Sequence, residues 1–421
     1  MRQRVRARAV RLLAWTTLLA ALPVPVVVAA PAAAAPTTRC TTPSQKLLPE
    51  VPWTHERLKP QRVWPLTKGE GVLVAVIDTG VDAAVPQLAG KVRRGVDVVN
   101  RAGAADDDCY GHGTFVAGVI AARPASGTGM VGLAPGATIM PIRQANGPSD
   151  GTASTLARSI RAAVDAGASV INVSASTFFP SEELRLAVEY AAGRDVLLVA
   201  AASNEAQQGN PVAYPAAYPQ VLAVGSVGPD GRRSEFSEVG SYLDLMAPGV
   251  DVVSLSRGGV GHLVDSGTSY ATPFVAATAA LVRSYHPKLT AVQVKRRLEL
   301  TADHPGTTLP DQQMGWGVVN PYQAVTTILP EEHTRVPAVG PQPPLNPVAQ
   351  SAAETSAREA AFEFSLTAVV LAGLIGLVGY LIPRGTRRGW RSIGELEEEP
   401  KPQSRRGRGR PSDRDRRGRF G

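Results

Sequence analysis

Short runs that are apolar at every position alternate with helix-like stretches through the middle of this chain, and few folds accommodate that pattern. Residues 71–77 (GVLVAVI) are apolar on both parities, so both faces of the strand must be covered, as in a parallel sheet. Residues 138–142, 169–173, 196–201 and 221–227 have the same character. Helical candidates lie between them at 114–122, 155–166 and 181–192, and two more follow at 268–285 and 291–301. Such repeats predict an α/β fold, a doubly wound parallel sheet with helices on both faces. Ligand chemistry in these sheets gathers at the carboxyl ends of the strands. Asp78 follows its strand at once, and Asn204 follows the strand at 196–201 within a few residues.

Three motifs sit in this frame in a fixed order. They are Asp78-Thr79-Gly80, Gly111-His112-Gly113-Thr114 and Gly267-Thr268-Ser269-Tyr270-Ala271-Thr272-Pro273. A serine hydroxyl is a weak nucleophile at neutral pH until a neighbouring base takes its proton, and Asp…His…Ser is one order in which the necessary groups occur. Ser269 is expected at a helix start, where free N–H groups and the helix dipole favour a developing anion. Pro273 is expected in the first turn, where its missing N–H has no partner to lose. His112 then takes the proton from Ser269 and returns it to the leaving amine, while Asp78 fixes the imidazole tautomer. Asn204 supplies a side-chain amide to the oxyanion. Taken alone, Ser269 and His112 read as helix caps and Asn204 as a turn residue.

These segments resemble the subtilisin-like serine proteases, as do Val170-Ile171-Asn172-Val173-Ser174, Leu133-Ala134-Pro135 and Met246-Ala247-Pro248-Gly249. The resemblance runs from about Gly69 to Ala324. It implies a serine endopeptidase acting on proteins or peptides; no cofactor is expected, and no clear cluster of calcium ligands stands out in the sequence. It also implies that backbone around Ser174, Ala175 and Ser176 pairs with substrate as an added strand, and that Ala200, Ala201 and Ala202 lie near the first specificity pocket. Two departures stand out. Ser203 occupies the place where glycine commonly precedes the oxyanion Asn, and Ser174-Ala175-Ser176 replaces Ser-Leu-Gly. Both predict a narrow, selective or slow enzyme. Asp106-Asp107-Asp108 reads as a solvated acidic loop, with a cation site as the alternative, and His262 as a strand or loop residue outside the chemistry.

The ends carry other information. The net charge of +8 comes from arginines crowding both termini, so it does not point to a nucleic-acid partner. Residues 1–35 have the basic start, apolar run and small-residue end of a secretory signal, with an uncleaved anchor as the alternative. A short arm (36–65) precedes the peptidase domain (66–326), and a proline-rich linker (327–364) follows it. The apolar segment 365–383 is close to the ~20 residues a membrane-spanning helix needs. Arg384, Arg387, Arg388 and Arg391 come next, which places the basic tail (384–421) in the cytoplasm and the domain outside. In that oxidising compartment Cys40 and Cys109 are expected to pair, with two free thiols as the alternative. The arm is too short for the usual folding pro-domain and is expected to stay attached. The whole layout resembles the mycosins, membrane-anchored subtilases of type VII secretion systems. It implies a place in that membrane complex, either as a protease or mainly as a scaffold subunit.

Overall fold

The computed structural model describes residues 40–147 and 150–332. The expected signal peptide, the linker beyond Glu332, the membrane helix and the basic tail lie outside the described residues.

The elements in chain order are α1 (Trp53–Leu58), β1 (Leu73–Asp78), β2 (Val96–Asp97), α2 (His112–Ala121), β3 (Thr138–Arg143), α3 (Ala153–Asp165) and β4 (Val170–Val173). There follow α4 (Glu182–Ala192), β5 (Leu197–Ala201), β6 (Val221–Val227), β7 (Leu245–Pro248), β8 (Val252–Leu255) and β9 (His262–Asp265). The described chain closes with α5 (Thr268–Tyr285), α6 (Ala291–Leu300) and α7 (Pro321–Thr326). Seven strands form one sheet in the order β2-β3-β1-β4-β5-β6-β7. All six pairings in it are parallel. After β3 the chain passes back over β1 to β4, so the winding reverses at β1, the strand that ends on Asp78.

Strand parity explains the double-sided core. Val74 and Val76 of β1 pack with Phe115 of α2 and Phe274 of α5. Ala75 and Ile77 face the other way, with Ile160 of α3 and Val188 of α4. β6 divides likewise, Leu222 and Val224 to the first face and Val221 and Ala223 to the second. Each fully buried aliphatic or aromatic side chain contributes roughly 1.5–3 kcal/mol.

α5 runs through the larger core layer, buried from Thr268 to Val282 except at Ser269. It carries threonines there because Thr272 Oγ1 and Thr278 Oγ1 donate to the carbonyls of Thr268 and Phe274, both at 2.8 Å. Pro273 lies inside the helix and not in its first turn. A proline there leaves the carbonyl four residues earlier, that of Ser269, without its helical donor. Ser174 Oγ donates to that carbonyl at 3.0 Å instead. The proline thereby ties the start of α5 to the end of β4.

The arm is stitched across the β8–β9 hairpin. His262 N donates to Lys46 O (2.8 Å), Leu48 N to His262 Nδ1 (3.1 Å) and Trp53 Nε1 to Val250 O (3.0 Å). Gly261 permits the close approach, because a Cβ there would sit 2.0 Å from the Ser44 carbonyl oxygen. Cys40 and Cys109 form a disulfide.

Candidate active site

Asp78, His112, Asn204 and Ser269 all line one cleft at the carboxyl ends of the strands. Asp78 is the last residue of β1, and His112 is the first of α2. Gly113 lets α2 start this close to β1, since a Cβ there would meet the Gly80 carbonyl oxygen at 2.0 Å. His112 Nδ1 lies 2.8 and 2.9 Å from the two Asp78 oxygens. An Nδ1–H donated to that carboxylate leaves the Nε2 lone pair free as a base. Burial would lower the imidazole pKa, but the Asp78 charge and hydrogen bond, with Asp108 and Asp265 adding, hold it above the ordinary 6.5.

Ser269, the second residue of α5, shares this cleft. Among the described residues no hydrogen bond joins its hydroxyl to His112. Such contacts are often open in unliganded sites and tighten on substrate. The Tyr270 ring packs on the imidazole at a centroid distance of 5.1 Å, and its hydroxyl donates to Asp265 Oδ2 at 2.6 Å. Asn204 Oδ1 accepts from Thr268 N (2.8 Å) and Thr268 Oγ1 (3.0 Å). With its oxygen held that way, the amide has its two N–H donors left for the cleft. A hydroxyl, a base, an orienting carboxylate and an amide donor are the groups an acyl transfer needs.

A subtilase family profile matches residues 69–317. The chain belongs to the subtilase family. It is 40% identical over 269 residues to a thermophilic serine proteinase of Bacillus sp. (strain AK1), covering 62% of this chain and 64% of that protein. Subtilisin E of Bacillus subtilis (strain 168) is 39% identical over 254 residues, 60% of this chain and 65% of its own. The chain thus spans just under two thirds of these Bacillus relatives. Mycosin-1 of Mycolicibacterium smegmatis is 32% identical over 355 residues, 71% of this chain and 78% of that protein. The crystal structure of MycP1 from Mycobacterium smegmatis superposes with a TM-score of 0.62 at 31% identity, covering 72% of this chain and 93% of that one. MycP3 protease from the type VII (ESX-3) secretion system gives 0.60 at 34% identity, covering 69% and 93%.

In this subtilase the departures acquire physical content. Ser203 has φ +85°, a left-handed conformation that glycine adopts freely and serine holds at a cost of about 1–2 kcal/mol. Ser174 and Ser176 line the cleft with Ala175, whereas Ala200, Ala201 and Ala202 are buried and do not reach its surface. Ser203, Asn204 and Glu205 form that wall instead. His262 is buried in β9 and touches no residue of the proposed chemistry, its Nε2 lying 3.0 Å from Gln87 Oε1.

The acidic loop differs from its expected solvated form. Asp106 and Asp107 are exposed, but Asp108 is only 2% exposed. Asp108 Oδ1 accepts from Thr79 Oγ1 (2.9 Å) and Gly111 N (2.7 Å), and Oδ2 from Thr114 N (2.8 Å) and Thr114 Oγ1 (2.7 Å). It therefore caps α2 beneath His112 and braces the residue after Asp78. The N-cap position of α2 is Gly111, so an acid three residues earlier carries no local capping signature. The roles of Tyr270 and Glu205 have no local signature, since both depend on which strand ends meet.

Proposed function

We propose that this chain is a membrane-anchored, extracytoplasmic serine endopeptidase of the mycosin type that acts at a type VII secretion system. The observation that carries the chemistry is the Asp78–His112 pair, bonded at 2.8 and 2.9 Å and sharing one cleft with Ser269 and Asn204. Ser269 Oγ attacks the scissile carbonyl while His112 Nε2 takes its proton, and Asp78 stabilises the imidazolium that forms. The Asn204 amide donates to the oxyanion of the tetrahedral intermediate. His112 then protonates the leaving amine, and water repeats the sequence to release the acyl group. Substrate lies along Ser174-Ala175-Ser176 as an added strand, a mode that takes its affinity from main-chain hydrogen bonds.

The secretion role draws support from the likeness to mycosin-1 and to the solved type VII proteases. The anchor draws support from the apolar stretch at 365–383 with arginines after it. A scaffold role for the same chain separates cleanly from proteolysis by complementation of a deletion strain. Ser269→Ala removes the nucleophile with almost no change in volume. The proposal expects type VII substrates to be exported but left uncut in that strain, with wild type restoring cleavage. Normal processing of every exported protein with Ser269→Ala would overturn it.

A further inference from the structure

Beneath the Asn204 turn lies a carboxyl that the reaction does not use. Glu238 is 0% exposed, in the segment joining β6 to β7. Its Oε2 accepts from the Tyr242 hydroxyl at 3.0 Å, while its Oε1 has no hydrogen-bond partner. Ser203 Oγ and the Glu205 N–H lie near enough to favour the charged form, yet neither reaches hydrogen-bonding geometry with Oε1. A buried carboxylate with a bare oxygen is costly, and a protonated carboxyl in the same place is less so.

Among the described residues no salt bridge reaches Glu238 to offset that cost. The Arg233 guanidinium, from the same segment, donates through Nη1 to the carbonyls of Ser234 and Ser237, while its buried Nε has no hydrogen-bond partner. Glu205 brings a second negative charge, and Tyr214 stands beside Tyr242. Burial pushes the Glu238 carboxyl up to about 7, Glu205 adds to the rise, and the Tyr242 hydroxyl opposes it.

The Tyr242 hydroxyl has one hydrogen and two acceptors in reach. Glu238 Oε2 is at 3.0 Å and the Ala202 carbonyl at 3.4 Å. Ala202 begins the strained turn, its own N–H bonded to Val224 O at 2.9 Å, and Ser203 O accepts weakly from Glu238 N at 3.4 Å. The 238–242 segment therefore meets the backbone on both residues that precede Asn204. We propose that Glu238 and Tyr242 form a protonation-dependent brace that positions the Asn204 turn. With the carboxyl protonated, its O–H donates to the Tyr242 oxygen, and the phenol hydrogen goes to the Ala202 carbonyl and holds the turn. With the carboxyl ionised, that hydrogen returns to Glu238 and the carbonyl is released. Glu238 acts through Tyr242 and Asn204 and touches no substrate, so it is a positioning residue, and this assignment rests on the proteolytic reading above.

The test is the pH profile of kcat/KM for the full-length protein. His112 loses its proton over much the same pH range in which Glu238 ionises, so wild type should level off at high pH roughly fivefold below Glu238→Gln, the worth of one neutral hydrogen bond. Glu238→Gln keeps an N–H donor toward Tyr242 at every pH and should rise to the higher plateau. Tyr242→Phe should reach only the lower plateau. Equal high-pH plateaus in wild type and Glu238→Gln would overturn the brace. Infrared difference spectra of the Ser269→Ala protein, set against Ser269→Ala/Glu238→Gln because Asp108, Asp244 and Glu299 are also pushed up by burial, give a readout that needs no activity. They should show a protonated-carboxyl band that is lost as pH rises through about 7 and is missing from the Glu238→Gln protein. Absence of that band would also overturn the brace. A wild type that hydrolyses nothing while the band titrates as expected would instead sink the protease reading.

Discussion

Replacing both Cys40 and Cys109 by serine should destabilise the protein by an amount the structure lets one calculate. The bridge joins residues separated by 69 positions in sequence. Opening a loop of that size returns conformational entropy to the unfolded chain worth about 4.4 kcal/mol at 25 °C in the chain-entropy treatment. Unfolding entropy near 2.1 cal/mol/K per residue over roughly 290 described residues is about 0.6 kcal/mol/K. The melting temperature should therefore fall by about 7 °C. The folded site should survive, because the arm keeps other ties near the bridge. Arg257 Nε donates to Asp108 O at 2.6 Å and Arg257 Nη1 to Thr41 O at 2.8 Å, while Thr41 N donates to Cys109 O at 2.9 Å. Scanning calorimetry on oxidised wild type and the double variant checks the shift, and hydrolysis of a peptide substrate checks the site. A melting temperature within 1 °C of wild type would refute the unfolded-state argument. Unchanged stability with lost activity would show that the bridge acts on the Asp108 loop directly.

Ser203→Gly should raise stability by about 0.5–1 kcal/mol in denaturant titrations, since it relieves a left-handed serine at some cost in unfolded-chain entropy. Between pH 4.5 and about 7 the native state holds the Glu238 proton that the unfolded chain has released, so stability should fall as pH rises through that window. Glu238 should account for about 3 kcal/mol of that loss, read as the difference between wild-type and Glu238→Gln unfolding midpoints at each pH. Asp78→Asn should cut turnover by about 10⁴, because the amide no longer fixes the tautomer. It should also move the acidic limb of the rate profile downward, since the Asp78 charge and hydrogen bond hold the imidazole above 6.5.

Much of this architecture is written locally in the chain. The five apolar runs became β1, β3, β4, β5 and β6, and the helix at 268–285 has the bounds of α5. Buried parallel strands need both faces apolar, and that signal survives without tertiary context. β2 has two residues and β9 exposes three of its four, so neither carries a periodic pattern. The groups that meet at the cleft were legible because each stands in its own short motif. Asp108, Glu238 and Tyr242 were not, because their importance arises only where distant loops stack. Pro273 departs from its expected first-turn place for a related reason, its lost helical bond being made good by Ser174 at the end of another strand.

The proposed chemistry requires above all that Ser269 be a nucleophile activated by its neighbours. Incubating the purified protein with a fluorophosphonate and mapping the adduct by mass spectrometry tests that without knowledge of any substrate. One adduct, on Ser269, should form in wild type, be absent in Ser269→Ala, and form far more slowly in His112→Ala. A folded wild type that takes up no reagent, or an adduct that persists in Ser269→Ala, would show that Ser269 is not the activated nucleophile.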